Sequence, residues 1–215
     1  MTADADMDAL LLDYASGALP EGPALAVATM LALDPRARAG YRALEAAGGA
    51  LLAALEPQPV SAGLRDATLA RLDESPATPL ARPPSPAAGA LPAPLRRYAP
   101  DGLDGLRWTR WGKSVQEAVL PLGDRSHRAT LLRIAPGQGV LHHEHTGTEY
   151  TVVIAGGFSD DTGHYGPGDL QLCDPSVVHR PVADPDAECL CLGVLSAPIR
   201  GTGLVGRLVN PFLKF

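Results

Sequence analysis

Three histidines and two glutamates fall within eight consecutive positions, 142–149, of this 215-residue chain. His143 and His145 lie two residues apart, so on a β-strand their side chains point to the same face. A threonine–glycine–threonine turn then leads to Glu149, which begins an apolar segment within reach of the same interior. Two imidazoles and one carboxylate are costly to bury together unless they bind something. The pattern therefore predicts a site for a divalent metal ion.

A fourth donor is predicted downstream of this cluster. The segment GPGDLQLCDPSVVHRP offers His179 at the end of a strand that follows a glycine–proline turn. His164 competes for the role, but its surroundings, DDTGHYGPGD, are rich in turn residues and predict an exposed position. We also expect His127, which opens a strand, and His142, which alternates to the outer face, to point towards solvent.

The segments around the histidines predict a β-structure. They alternate apolar and polar residues or are β-branched, and glycine, proline and aspartate turns separate them. The six clearest segments are LRWTRW, SVQEAVLPL, RATLLRIA, EYTVVIAG, DLQLCD and ECLCLGVLS. Many short strands at even spacing are typical of a β-sandwich or barrel, and we assign residues 101–215 to such a domain.

A proline-rich segment, residues 75–100, precedes the β-structure. Eight of its 26 residues are proline, which cannot donate a backbone hydrogen bond and stiffens the chain into extended segments. We interpret it as a tether between two domains that takes no part in a core.

Residues 1–74 carry helical signals instead. MDALLLDYASG places Leu10, Leu11 and Tyr14 on one face, whereas PALAVATMLAL is apolar nearly all round and should be buried. Asp34 and the proline after it are typical of an N-cap and a first helical position. The next helix places Tyr41, Leu44, Gly48, Leu51 and Leu55 at alternating spacings of three and four, and a fourth helix has Leu64, Leu69 and Leu72 as its apolar positions. We therefore predict a small core of three or four helices.

Charge and composition exclude several classes of protein. The net charge is −6, and residues 1–74 hold eleven acidic residues against five arginines, which suits a basic partner or a solvated face. The sequence shows no basic patch of the kind that binds nucleic acid, so we expect no direct contact with nucleic acid. The longest apolar run, residues 24–33, is too short to span a membrane, and no signal peptide is predicted, so we expect a cytoplasmic protein.

Three cysteines occur late in the chain: Cys173, Cys189 and Cys191. Cys189 and Cys191 share one face of a predicted strand, about 6.5 Å apart, so a disulfide between them would be strained. Free thiols in the core are the simpler interpretation, and an oxidant-sensitive pair near the metal is the alternative. Cys173 is interpreted as a core residue.

The histidine segments resemble the two motifs of the cupin family over about residues 105–200. The matching patterns are His143-x-His145-x3-Glu149-x6-Gly156, with Gly137 before it, and Gly168-x5-Asp174-x-Ser176-x2-His179. Carried over by position, the resemblance implies one metal ion held by His143, His145, Glu149 and His179. We prefer zinc, while iron, manganese and nickel suit the same donors. The sequence departs from the motif at Asp174, Ser176 and Ala183, where the family has proline, glycine and asparagine.

The helical region resembles the N-terminal domain of ChrR-type anti-sigma factors, which join a helical domain to a metal-binding cupin. The resemblance is carried by the domain order, by the tyrosine–alanine–x–glycine end of the first helix at residues 14–17, and by Leu-Glu-Ala-x-Gly-Gly at residues 44–49. Family members usually carry zinc in this domain, held by H-x3-C-x2-C and an earlier histidine. Met30, Asp34 and Ala37 stand at the matching positions here, so we expect no zinc in the helical domain.

Three functions follow from these patterns. The ChrR resemblance implies that the helical domain binds and inhibits an extracytoplasmic-function (RpoE-like) sigma factor, with the cupin as a sensor of singlet oxygen or peroxide. The alternative is a metal-dependent cupin enzyme such as a dioxygenase, for which Arg133, Glu144 and Tyr150 are the available side chains, although they form no convincing catalytic group. A cupin that forms a homodimer is the third possibility and is compatible with the first.

Overall fold

The computed structural model describes residues 3–74 and 91–202. Four helices come first: α1 (Ala3–Ala15), α2 (Glu21–Leu33), α3 (Pro35–Ala53) and α4 (Leu64–Glu74). A short 3-10 helix, Ala93–Arg97, precedes twelve strands. The first six strands are β1 (Thr109–Trp111), β2 (Val115–Leu120), β3 (Arg128–Ile134), β4 (His143–His145), β5 (Glu149–Ala155) and β6 (Phe158–Asp160). The remaining six are β7 (Gly163–Tyr165), β8 (Leu170–Cys173), β9 (Val178–His179), β10 (Val182–Ala183), β11 (Cys189–Leu195) and β12 (Ile199–Gly201).

Local sequence explains the helix ends. Gly17 closes the turn after α1 with φ +72°, a left-handed conformation that glycine adopts without strain. The Asp34 carboxylate accepts hydrogen bonds from the amides of Arg36 and Ala37, so it caps α3, and a proline follows at the first helical position. The predicted cap is therefore confirmed.

The strands form one large sheet and two small ones. The order of the large sheet is β1-β2-β3-β11-β5-β8, and the small sheets are β10-β6-β7 and β12-β4-β9. All neighbours pair antiparallel. The six clearest predicted strands are the six strands of the large sheet, and the predicted two-part fold of helices and a cupin-type β-barrel is confirmed.

The large sheet has two different faces because successive side chains alternate. On β5, Tyr150, Val152 and Ile154 belong to a core cluster that they share with the helices. Val153 belongs to a second cluster with Ile134 and other residues on the opposite, inner face. The inner face of the sheet lines the barrel, and the outer face is covered by a helix.

That helix is α2, and its packing corrects one expectation. Ala26 and Val27 are fully buried, in one cluster with Leu131 and Leu192 of the sheet. The helices therefore do not enclose a separate small core, because α2 is the layer that covers the outer face of the barrel. The apolar character of α2 all round fits this position between two sets of neighbours.

The structure also corrects the expected linker at its C-terminal end. Leu91, Leu95 and Ala99 are buried in the cluster that contains α2 and the sheet. The 3-10 helix turns these apolar residues inwards, so the last ten residues of the proline-rich segment pack as part of the core. The preceding part, residues 75–90, lies outside the described residues.

None of the helices in the described residues 3–74 and 91–202 combines the length and the hydropathy that a membrane span requires.

Candidate metal centre

Three strands and one turn bring the predicted ligands together. His143 and His145 are the first and last residues of β4, and both point into the barrel. His179 on β9 is the direct antiparallel partner of His143. Glu149 is the first residue of β5 in the large sheet, after the turn that connects it to β4. The two sheets therefore contribute ligands to one interior point.

The four side chains form a compact buried group: His143, His145, Glu149 and His179. One donor atom from each lies within 4.8 Å of the others. The Nε2 atom of His179 lies 3.0 Å from Nε2 of His145 and 3.2 Å from Nε2 of His143. A carboxylate oxygen of Glu149 lies 3.4 Å from Nδ1 of His145. The structure brings all four predicted ligands together.

Hydrogen bonds on the far side of two rings fix which nitrogen faces the centre. Nδ1 of His143 lies 2.7 Å from the carbonyl oxygen of Leu141, and Nδ1 of His179 lies 2.7 Å from a carboxylate oxygen of Asp160. A carbonyl and an ionised carboxylate can only accept, so both Nδ1 atoms carry the hydrogen. With the hydrogen on Nδ1, the nitrogen of each ring that is left to bind a cation is Nε2, and the two Nε2 atoms lie 3.2 Å apart.

Asp160 supports the centre from behind, and the sequence did not single it out. Its side chain is fully buried, and it accepts hydrogen bonds from Gln171 Nε2 at 2.7 Å and from Thr162 Oγ1 at 2.6 Å besides that of His179. Burial alone would raise the pKa of this carboxyl group, but these hydrogen bonds outweigh it and lower the pKa to about 2. Such a carboxylate behind a ligating imidazole fixes the orientation of its ring.

Burial and Glu149 act in opposite directions on two of the rings. Burial lowers the pKa of His145 to about 4, so this imidazole is neutral at pH 7. Burial also disfavours the charged form of His143, but the hydrogen bond and the charge of Glu149 outweigh it and raise the pKa of His143. The same histidines lower the pKa of Glu149 in spite of its burial. His145 therefore provides a neutral imidazole and Glu149 an ionised carboxylate, the forms that bind metal ions.

The residues fit a divalent metal ion. Nδ1 of His145 is buried and has no hydrogen-bond partner among the described residues, as expected of a donor atom that awaits a ligand. Three imidazoles and one carboxylate are donors that zinc, iron, manganese and nickel all accept, so the donor set leaves the identity of the metal open.

The other histidines lie outside this group. His142 is exposed, as predicted. His164 is exposed on β7, where its Nε2 atom lies 3.1 Å from a carboxylate oxygen of Asp184. His127 differs from the prediction, because it is half-buried against Gly22 at the start of α2.

The three side chains considered for catalysis do not enter the centre. Arg133 lies over the ring of Trp108, 4.4 Å from its centroid, and Tyr150 packs in the cluster with the helices. Glu144 lies between the two histidines of β4 and alternates to the other face. No convincing catalytic group was predicted from these residues, and the structure does not assemble one from them.

A cavity of about 860 Å³ opens beside the metal ligands inside the barrel. Its wall includes a pair that the sequence did not reveal: Nη1 of Arg128 lies 2.6 Å from a carboxylate oxygen of Glu117. The two residues sit on neighbouring strands, and because Leu132 is the direct partner of Glu117, the long Arg128 side chain reaches along the sheet to make this contact.

The three cysteines are buried, and none of them forms a disulfide. Cys189 and Cys191 belong to the inner cluster of the barrel. A hydrogen bond with Cys189, together with burial, raises the pKa of the Cys191 thiol well above its usual value. Burial raises the pKa of Cys173 to about 12. Because the thiolate is the reactive form, these properties favour the packing interpretation over the redox alternative.

The α2–α3 corner presents no comparable donors. Met30 is buried in the core, Asp34 caps α3 through its carboxylate, and Ala37 packs against the same core. Each of the three side chains thus has a structural role that needs no metal.

Comparisons with known proteins agree with this architecture. Residues 102–197 match the sequence family described as the ChrR cupin-like domain. The whole chain is similar to the anti-sigma-E factor ChrR of Cereibacter sphaeroides, with 40% identity over 210 residues, which is 96% of each chain.

Solved structures are similar as well. A crystal structure of Rhodobacter sphaeroides SigE in complex with the anti-sigma ChrR matches with a TM-score of 0.70 and 38% identity over 87% of this chain and 96% of that one. An RmlC-like cupin protein of Ralstonia eutropha matches with a TM-score of 0.42 and 15% identity over 48% of this chain and 71% of that one.

Proposed function

The chain belongs to the family of ChrR anti-sigma factors, and from this membership we propose that it binds an extracytoplasmic-function sigma factor and keeps it from RNA polymerase. The observation that carries the proposal is the 40% identity to a named anti-sigma factor over 96% of the chain. We assign inhibition to residues 1–74, sensing to residues 101–215, and the connection between them to residues 75–100, of which Leu91, Leu95 and Ala99 also pack in the core. The sigma factor is a cytoplasmic partner, so we also place this protein in the cytoplasm.

An exposed leucine surface on the helices supports this proposal. Along α3, α4 and their connection, seven large apolar side chains face solvent: Leu51, Leu52, Leu55, Val60, Leu64, Leu69 and Leu72. We call these seven residues the leucine surface. Leu51 is 73% exposed and Leu72 is 67% exposed. Exposed apolar side chains in this number are typical of a protein-binding region, because each exposed leucine gains about 1.5–3 kcal/mol when a partner buries it.

We propose that sigma binding needs no metal in the helices. The capping bonds of Asp34 and the burial of Met30 hold the α2–α3 corner in place without a metal ligand. The sheet beneath α2 provides further support. Apolar packing against the barrel thus takes the stabilising part that zinc has in the family.

We assign the sensing of oxidative stress to the cupin centre, with zinc as the metal. A bound divalent ion would supply a Lewis-acidic centre that accepts an oxygen ligand. The chain's own contribution is to hold three imidazoles and one carboxylate in place and to fix the His179 ring through Asp160. Singlet oxygen and peroxide are the proposed signals.

Capture from extract tests the inhibitory function. The tagged full chain is incubated with extract of the native organism, and retained proteins are identified by mass spectrometry. We expect near-stoichiometric recovery of one sigma factor, and equal recovery when EDTA is present throughout. Absence of any sigma factor from the retained fraction, with sigma factors detected in the input, would contradict the proposal.

The full chain is needed for this experiment. A fragment that ends at residue 74 would expose Ala26, Val27 and the other α2 residues that the sheet covers. Its failure to bind could then reflect unfolding and would not address recognition.

Release of the captured sigma factor tests the sensing function. Immobilised complexes of the chain and of its His143→Ala variant are exposed to peroxide or to light with a singlet-oxygen generator. We expect release from the wild type and retention by the variant. Equal release from both would remove the metal centre from the sensing mechanism.

A further inference from the structure

The barrel cavity is larger than a metal ion requires. Its volume, about 860 Å³, lies within the range of sites that enclose small organic molecules. Most of its wall is apolar and comes from strands or loops of the barrel. The apolar lining includes Val115, Leu132, Ile134, Val140, Phe158 and Leu195. The metal ligands His143, Glu149 and His179 line the same space.

The sheet register places Arg128 on the same inner face as the metal ligand Glu149, two strands away. Leu195 on β11 pairs with Arg128 on one side and with Glu149 on the other. These three residues form one row across the inner face, and neighbouring strands lie about 4.8 Å apart, so the backbones of Arg128 and Glu149 are about 10 Å apart. One small organic molecule can span that separation.

Arg128 retains donors for a ligand. One of its terminal nitrogens is 2.6 Å from Glu117, and the second carboxylate oxygen of Glu117 accepts from Trp111 Nε1 at 2.9 Å. Among the described residues, the Arg128 side chain has no hydrogen-bond partner besides Glu117. A guanidinium has five N–H donors, so most of them remain free for a carboxylate, which they bind in a paired geometry.

Charge favours an anion in this cavity. Glu117 is balanced by Arg128, and Lys113 and Arg180 add two exposed cations to the lining. A divalent ion among three neutral imidazoles and Glu149 leaves one further positive charge. A positive cavity with apolar walls is complementary to an amphipathic anion.

A glycine on β11 leaves space between Arg128 and Glu149 on the inner face of the sheet. Gly193 is the direct partner of Thr130 on β3 and of Thr151 on β5. A Cβ atom at this position would lie 3.5 Å from Thr130 Oγ1 and 3.7 Å from a carboxylate oxygen of Glu149. A larger side chain would project into the space between Arg128 and the metal ligands.

We propose that the barrel binds a small organic carboxylate, with its carboxylate on the Arg128 guanidinium and its apolar body along the wall towards the metal ligands. Binding is a property of this chain alone. That such a molecule modulates release of the sigma factor rests on the proposed function.

Isothermal titration of the full chain, with its metal content measured, tests the proposal without any sigma factor. The probes are benzoate, phenylacetate, 3-phenylpropionate and 4-phenylbutyrate, each paired with its uncharged amide of the same shape. We expect at least one carboxylate to bind about tenfold or more tightly than its amide, since charge-assisted hydrogen bonds to arginine are about twice as strong as neutral ones. Failure of all four carboxylates to bind, or equal binding of carboxylate and amide, overturns the proposal.

Variants locate the anchor. Arg128→Gln should weaken carboxylate binding about 10–100-fold and leave amide binding unchanged. The control is Arg200→Gln, an exposed arginine on β12 outside the cavity lining, which should change neither. The double variant Glu117→Gln/Arg128→Gln removes both members of the ion pair. If it regains wild-type carboxylate affinity, repulsion by Glu117 explains the loss, and Arg128 is not the anchor.

Discussion

The leucine surface of the helices and the histidine group of the barrel are opposite exceptions to the usual pattern, in which apolar side chains are buried and polar side chains are exposed. The helices leave seven large apolar side chains in solvent, whereas the barrel buries three imidazoles and a carboxylate. Neither arrangement stabilises an isolated chain, because exposed apolar area and buried polar groups both cost free energy. Each arrangement therefore indicates a binding partner. The exposed apolar side chains indicate a protein surface, and the buried polar side chains indicate a metal ion.

Helix α2 lies between the two regions, and its apolar side chains are buried in the usual way. α2 is apolar and buried, and it touches the outer face of strands whose inner face carries Glu149. The metal ligand Glu149 therefore lies on the opposite face of the same sheet from α2. This adjacency supplies a physical route between the metal centre and the helices, to which we assign sensing and inhibition by proposal.

The largest expected effect separates partner binding from folding at the leucine surface. In Leu69→Ala/Leu72→Ala, two exposed side chains of α4 are truncated, and we expect sigma affinity to fall about 100-fold or more, at roughly 2 kcal/mol for each interface leucine. The free energy of unfolding should change by less than about 0.5 kcal/mol, since both residues face solvent. Binding by titration and urea denaturation measure the two quantities.

The control for this variant is Leu12→Ala, an exposed leucine on α1 that lies outside the leucine surface. It should retain wild-type sigma affinity. Equal losses of affinity in both variants would mean that α4 has no special part in recognition.

The next effect tests whether α2 belongs to the barrel core. Met30→Ala removes a side chain that is 3% exposed, and we expect a loss of about 2–4 kcal/mol in the free energy of unfolding. The volume-conserving Met30→Leu should lose less than about 1.5 kcal/mol. Both tryptophans, Trp108 and Trp111, lie in the β-region, so their fluorescence reports barrel unfolding. An unchanged fluorescence transition in Met30→Ala would show that helices and barrel unfold separately.

A smaller effect concerns the support behind the buried histidines. Asp160→Asn should weaken metal binding about 10–100-fold, because the amide replaces the carboxylate that holds the His179 ring. Competition with a chromophoric chelator measures the affinity. The adjacent Asp161→Asn provides the control, because Asp161 is exposed. Similar affinities for the two variants would show that His179 needs no fixed partner.

Sequence patterns were sufficient for the parts of the fold that local chemistry determines. Alternation over six or more residues identified the strands of the large sheet, and the spacing of His143, His145 and Glu149 identified the metal group. The short strands β6, β7, β10 and β12 were missed, because two or three residues carry no readable period. Each of them depends on its neighbours for its conformation.

Other features depend on contacts that no local pattern encodes. The sequence predicts that α2 is buried, but an apolar helix does not indicate whether helices or a sheet will cover it. Asp160 and Asp161 are adjacent identical residues, and only the fold buries one against His179 and exposes the other. Leu95 lies in a proline-rich segment whose composition predicts a tether, yet its side chain packs in the core.

Glu21 also makes contacts that no local pattern encodes, and its substitution is expected to have the smallest effect on stability. Its carboxylate accepts hydrogen bonds from the amides of Gly123 and Asp124, at 2.6 and 2.9 Å, and from the Tyr98 hydroxyl at 2.7 Å. In return its own amide donates to the Asp124 carboxylate. The start of α2 is thereby tied to the loop between β2 and β3, about a hundred residues later.

Glu21→Gln should loosen this connection with a defined pH dependence. The Tyr98 hydroxyl, followed by the Asp124 amide, lowers the pKa of Glu21 below its usual 4.5. The stabilising contribution is therefore present above pH 4.5 and is lost as the pH falls through the lowered pKa. At pH 7 we expect a loss of less than about 1 kcal/mol, because solvent screens the group, which corresponds to at most about 2–4 °C in Tm. Glu56→Gln, on an exposed segment, should leave Tm unchanged. A Glu21→Gln difference that persists undiminished at pH 3 would mean that the charge of Glu21 does not hold α2 against the barrel.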